Sequence, residues 1–185
     1  MAARTAVAAR GADVPIREIA RLAEVGVATV YRHFPSKEAL LAEAFAAQTE
    51  LCSAVVAQGL AVPDPWDGFR LVIEKLLEAH ARDREFRAYV AQLPRTAAVT
   101  ADRDRVLRLL RELIRRAKES GDLRPDIVVE DVALALMAND GIRAGSPEMR
   151  AAASRRLAAL MLESFRATPA RGPLPPAVRL PLTAR

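Results

Sequence analysis

A chain of 185 residues, 51% hydrophobic but only 4% aromatic, has room for one large domain or a small domain joined to a larger one, with a core of Ala, Leu and Val. Abundant Ala, Leu, Arg and Glu with few β-branched runs exclude a sheet protein and predict an all-α fold. The net charge of +5 is no argument for nucleic acid by itself: residues 1–45 hold six Lys/Arg against five Asp/Glu, whereas residues 166–185 hold four Arg and no acid. No run approaches the roughly 18 apolar residues of a membrane span, so no membrane partner is expected. No apolar segment with a cleavage site opens the chain. Cys52 is the sole cysteine, which rules out an internal disulfide framework and suits a cytoplasmic location.

Helical periodicity runs from residue 2 to residue 168 and divides into about nine helices. The first, Ala2 to Arg10, stops at Gly11, a residue suited to a left-handed cap. Asp13 is placed to cap a second helix that has Pro15 in its first turn and an apolar stripe of Ile16, Ile19, Ala20 and Ala23. After a break at Glu24-Val25-Gly26, a short third helix runs from Val27 to about His33 and ends before Pro35. Ser36 caps a long fourth helix that reaches about Gln58, and a connector follows from Gly59 to Pro65. The fifth helix, about Trp66 to Arg82, turns Phe69, Val72, Ile73, Leu76 and Leu77 inward, and a sixth covers roughly residues 84–93. The seventh, about 101–120, buries Val106, Leu109, Leu110, Leu113, Ile114 and Ala117 and stops at Gly121. Asp126 is placed to cap the eighth, about 128–140. Ser146-Pro147 starts the ninth, which runs to about Ala167 with Leu157, Leu160, Met161 and Phe165 inward. Five prolines between residues 169 and 185 predict an extended or disordered tail.

The informative stretch is residues 15–34. Two helices of about two turns each cannot stand alone in water and must pack on each other and on a third. A helix-turn-helix needs a small residue at the close crossing, which Ala20 supplies, with Ile16, Ile19 and Ala23 around it. It needs a buried apolar residue in the turn, for which Val25 is placed, and an inward residue one turn into the second helix, Val30. Phe34 then closes the small core with Leu40.

The run Thr29-Val-Tyr-Arg-His-Phe-Pro-Ser-Lys-Glu-Ala-Leu-Leu41, with Ile19-Ala20 and Val25-Gly26-Val27 before it, resembles the DNA-binding domain of TetR/AcrR-type transcriptional regulators. The resemblance covers residues 2–45 closely. Beyond them, the helix count and the Gly121-Asp-Leu-Arg-Pro-Asp126 turn are consistent with it. It implies an N-terminal three-helix helix-turn-helix domain at 1–45, a larger helical ligand-binding and dimerisation domain at 46–168, and the tail at 169–185. It implies that the third helix enters the major groove of double-stranded DNA, with Val27, Ala28 and Thr29 at base edges. Tyr31, His33 and Lys37 match phosphate-contacting positions, and Arg17 is a further phosphate or base contact. Taken without the resemblance, Tyr31 reads as mainly core and Lys37 as an ordinary solvated residue.

The family usually places Gly where this chain has Glu24. A left-handed Glu costs about 1 kcal/mol relative to Gly, and Gly26 is expected to absorb the turn instead. The family's first helix is also longer, carries an aromatic where Val7 stands, and follows a basic arm; the natural start is expected to lie upstream of Met1.

In the resembled family the last two long helices pair across a two-fold axis. The eighth and ninth helices, with Val132, Leu136, Ala153, Leu157, Leu160 and Met161, are therefore the expected homodimer surface. A small apolar or amphipathic effector is expected, with His80, Tyr89, Asn139 and Asp140 as candidate polar contacts. No cofactor is expected. An enzyme is disfavoured: the sequence has no Gly-rich phosphate loop, no metal-spaced His/Cys cluster and no nucleophile–base pair. The rival reading is a helical dimeric interaction protein whose DNA binding is weakened by the short first helix.

Overall fold

A computed structural model describes residues 1–11, 13–83, 97–168, 172 and 174–176, with side chains from 104 onward in the segment that starts at 97. Among the described residues the chain is all-α. It comprises α1 (Ala2–Arg10), α2 (Ile16–Leu22), α3 (Val27–His33), α4 (Lys37–Ala61), α5 (Pro65–Arg82), α6 (Ala97–Glu119), α7 (Val129–Asp140) and α8 (Pro147–Phe165). The sixth helix expected from the sequence lies outside the described residues, so the expected seventh, eighth and ninth are α6, α7 and α8. The described residues group into two compact units, those of Met1–Leu51 with Asp83–Arg103, and those of Cys52–Arg82 with Asp104–Arg185. The division falls inside α4, beyond the boundary at residue 45 that the motif suggested.

In the first unit α1 packs on α2 and α2 on α3. Ala3, Ala6, Val7, Val14, Ile19, Ala20, Val30, Leu40, Leu41 and Phe45 are buried, with Phe34 partly so. Gly11 closes α1 with φ 83, donating its N–H to the Val7 carbonyl at 2.8 Å. Asp13 does not cap α2. It is exposed, and Pro15, with φ −63 and ψ 143, is itself the extended residue before the first turn. Proline's fixed φ meets that requirement without a side-chain acceptor. Ser36 caps α4 as expected, accepting from the Ala39 N–H at 3.2 Å. By length and composition α4 suffices to cross a bilayer; its Leu41, Phe45 and Val56 are buried in protein, while most of its apolar stretch is not.

In the second unit α5 is the central element, packed chiefly on α8 and α7. Its Trp66, Phe69, Val72, Ile73, Leu76 and Leu77 are buried with Leu113 and Ile114 of α6, Val132 and Ala135 of α7, and Leu162 and Phe165 of α8. Gly59 lies within α4 rather than in a connector, which shrinks to residues 62–64. It faces Gly68 of α5 backbone to backbone. A Cβ on Gly59 would overlap Val72 Cγ2 and sit 2.8 Å from the Gly68 carbonyl oxygen, and a Cβ on Gly68 would overlap the Gly59 carbonyl. Two small residues thus let the helices cross closely.

Asp126 does not cap α7. It pairs with the buried Arg124 through bonds of 2.8 and 2.9 Å, and Asp131 accepts the Val128 N–H instead, at 2.8 Å. Segments 122–124 and 165–167 run antiparallel, the Arg124 N–H reaching the Phe165 carbonyl at 3.0 Å and the Ala167 N–H reaching Asp122 at 2.8 Å. Ser146 caps α8, accepting the Met149 N–H at 3.2 Å, with Pro147 in the first turn. Within the tail, Gly172 accepts from Arg124 at 2.9 Å and the Leu174 N–H donates to Asp126 at 2.8 Å. The described part of the tail is therefore extended and fastened by two hydrogen bonds.

Candidate nucleic-acid interface

The helix-turn-helix is α2, the turn 23–26 and α3. Ala20 is buried at the crossing and Val30 points inward, as the packing pattern requires. In a helix the residues opposite Val30 are those two behind and two ahead of it, Ala28 and Arg32, and both are exposed. Val27 and Tyr31 flank that face at one-turn spacing and are 38% and 50% exposed. Thr29, on the other flank, is partly buried.

Four positions differ from their expected placement. Tyr31 is half exposed rather than mainly core. Val25 is 43% exposed rather than buried, because the turn is closed by backbone bonds and not by a side-chain plug. Ala23 is exposed at the helix end. Gly26 does not absorb the turn: its φ is −70, and Glu24 takes the left-handed conformation at φ 56, the one non-glycine with positive φ among the described residues. The Glu24 N–H donates to the Arg21 carbonyl at 3.1 Å and the Val25 N–H to Ala20 at 3.0 Å, the paired bonds of a left-handed helix stop.

Basic groups surround this face. Arg17 of α2, Arg32 and His33 of α3 are exposed, and Lys37 at the start of α4 is partly buried. Arg17, Arg32 and Lys37 form no ion pair within the described residues, so their charges are open to an external anion. Arg21 differs. It grips Glu18 with Nε at 3.1 Å and Nη2 at 2.8 Å, and Arg10 of α1 stands 3.9 Å from the same carboxylate. The Arg21 hydrogen bonds hold the Glu18 carboxyl below its ordinary range. Arg32 was not singled out from sequence. Its spacing from Ala28, one helical turn, is the signal that finds it.

The candidate ligand contacts fall in the second unit, apart from Tyr89, which lies outside the described residues. His80 and Asn139 are buried, at the ends of α5 and α7. Asp140 is exposed at the last position of α7, so neighbouring positions on one helix face opposite environments and only Asn139 points inward. On the expected dimer surface, Val132 is core and Leu136, Leu157 and Met161 lean on the core. The large exposed apolar residues of α7 and α8 are Leu134, Met137, Met149 and Leu160.

Residues 1–44 match the family model for bacterial regulatory proteins of the tetR family. No curated protein sequence matches the chain significantly. Among solved structures, the TetR-family transcriptional regulator PfmR from Thermus thermophilus is 27% identical with a TM-score of 0.63, the likeness covering 86% of this chain and 91% of that one. The TetR transcriptional regulator SCO0520 from Streptomyces coelicolor is 26% identical with a TM-score of 0.52, over 90% and 95% of the two chains. The transcriptional regulator FadR from Bacillus subtilis, solved in complex with stearoyl-CoA, is 19% identical with a TM-score of 0.62, over 89% and 96%, and shows likeness of fold.

Proposed function

We propose that the chain is a DNA-binding transcriptional regulator, a ligand-responsive repressor acting as a homodimer on a palindromic operator; the match of residues 1–44 to the tetR-family model and the similarity of the fold to TetR-family regulators support this reading. The observation that carries this reading is the outward face of α3, where Val27, Ala28, Tyr31 and Arg32 are exposed although three of them are apolar or aromatic. Such a face is complementary to a groove that presents thymine methyls, base-edge acceptors and phosphates. In this reading Thr29 hydrogen-bonds a base edge and Val27 and Ala28 meet thymine methyls. Tyr31, His33 and Lys37 hold phosphates, with Arg17 as a further contact.

A helix of seven residues reads only a few base pairs. Specificity then requires a second copy on a symmetric half-site. The exposed Leu134 and Met137 of α7, one turn apart, and Met149 and Leu160 of α8 supply the apolar face for that pairing. The second unit takes the dimer contact and a small apolar or amphipathic effector, with His80 and Asn139 as its polar contacts. The FadR structure with stearoyl-CoA supports such a role for this fold. Helix α4 is continuous from Lys37 to Ala61 and so belongs to both units. In this reading the ligand weakens the hold on DNA, and DNA must disfavour that ligand by the same factor. The place of action is the cytoplasm, where the DNA is.

The test is a fluorescence-anisotropy titration of the DNA upstream of the protein's own gene, with wild type and with Tyr31→Ala plus Lys37→Ala. Two phosphate contacts at about 1.4 kcal/mol each predict roughly a hundredfold loss. Equal affinities would favour the rival interaction protein.

A further inference from the structure

We propose that the polar junction at Leu77 is a head-group site, and that its ligand is an apolar molecule bearing a hydroxyl; this deepens the effector reading above and rests on it. The Leu77 carbonyl, on α5, accepts from Asn139 Nδ2 of α7 and from Ser154 Oγ of α8, both at 3.0 Å. Those bonds tie three helices to one oxygen. They also fix the Asn139 amide, because turning it over would set its own oxygen against the carbonyl. Asn139 Oδ1 therefore points away from Leu77, and it has no donor although the residue is only 1% exposed. A buried amide oxygen without a donor is an exception in folded proteins and calls for a partner.

A second open group lies on the helix that carries Ser154. Arg150 is one turn before Ser154 on α8 and so shares its face. Its Nε is buried and has no acceptor. The two demands are opposite: Asn139 Oδ1 needs a donor, and Arg150 Nε–H needs an acceptor. A hydroxyl meets both at once. An ether, ester or ketone meets only the second. A carboxylate also meets only the second and presents a negative oxygen to Oδ1. An ammonium meets only the first and lies beside a guanidinium. His80, one turn after Leu77 and buried, adds a polar edge. Ile73, Leu76, Val132, Ala135 and Ala158 around the junction are buried and apolar, which calls for an apolar body behind the hydroxyl.

The experiment uses the full chain and isothermal calorimetry with n-octanol, methyl n-octyl ether and octanoate. Saturable octanol binding at least about tenfold tighter than either comparator is expected, since a site with paired polar demands rejects a head group that leaves one unmet. Asn139→Leu and Arg150→Met should each erase that preference. Arg155→Met, which removes an exposed guanidinium from the same helix, should keep it. If Asn139→Leu fails to fold, Arg150→Met carries the decision. No saturable octanol binding, an ether that binds as well as the alcohol, or a preference surviving in Arg150→Met overturns the proposal. Octanol is then added to the complex with operator DNA. Selective binding that leaves the DNA bound would uphold the head-group site while sinking the effector reading.

Discussion

Glu24→Gly is expected to stabilise the reading head without changing what it reads. Glu24 sits at φ 56, in the left-handed region, and both backbone bonds of the stop depend on it: its own N–H to Arg21 at 3.1 Å and the next one, Val25 to Ala20, at 3.0 Å. A side chain with a Cβ costs roughly 1–2 kcal/mol in that conformation. Glycine removes this cost but gives up about 0.5–1 kcal/mol through the greater freedom of the unfolded chain. The net gain is about 0.5–1 kcal/mol. Glu24 is exposed and makes no ion pair among the described residues, so no side-chain contact offsets the gain. The assay is native-state hydrogen exchange of amides 19–34, which should slow by about two- to fivefold, since 1.4 kcal/mol is tenfold. Glu24→Asn should fall between, because Asn tolerates this region, and Glu24→Val should exchange faster. If Val and Gly at this position gave the same protection, strain at Glu24 would not limit the motif and the reasoning would fail.

Four further outcomes are expected. Lys37→Gln should weaken binding about equally on all sequences and flatten the log–log salt slope by about 0.9, read from titrations at several salt concentrations. Gly68→Ala places a Cβ on the Gly59 carbonyl; a clash against backbone should cost about 2 kcal/mol or more in thermal unfolding of the second unit. Leu134→Glu with Met137→Glu places charge on the exposed face of α7, and light scattering should show monomer with helix content by circular dichroism unchanged. The Arg124 guanidinium, and then the Leu174 N–H, hold the Asp126 carboxyl far below the usual carboxylate range. A depressed folded value means that the stabilisation is complete above the unfolded pKa of about 3.9 and fades as pH falls below it. Protease resistance of the tail near Leu174 should be lost in that acid window, and at neutral pH in Asp126→Asn.

Most of the fold was legible from period and punctuation. The inward residues of α5 form a regular apolar stripe, and all five expected from it, Phe69 through Leu77, are buried. Ser36 and Ser146 cap the helices they precede, because a serine before a charged first turn has few other uses. What was not legible needed a partner distant in sequence. Gly59 reads as a helix stop until Gly68 is set against it, when it becomes the residue that lets α4 continue. Asp126 reads as a cap until the Arg124 side chain and the tail compete for it. Val132 and Met137 share α7, and only the packing of α5 decides that the first is core and the second exposed.

The misread positions in the helix-turn-helix have a common cause. Apolar periodicity assigns Val25 and Tyr31 to a core, because burial is the usual use of such side chains. A domain this small has already filled its interior with Ala6, Val7, Ile19, Ala20, Val30, Leu41 and Phe45. The additional apolar groups are left outside, and they gather on α3 and its approach: Val25, Val27 and Tyr31, with Ala28 between them. The net charge of the first 45 residues is close to zero, so long-range attraction is a weak source of affinity for DNA. On the proposed reading, affinity comes from local pairing with Arg17, Arg32 and Lys37 and from the apolar face meeting the groove. That division predicts a DNA-binding protein with a modest salt dependence and a strong dependence on thymine positions in its site. Replacing thymine by uracil, which lacks the methyl group, at half-site positions should therefore weaken binding more than doubling the salt does. A complex that tolerates uracil throughout and dissociates with salt would show that α3 is held only by its charges.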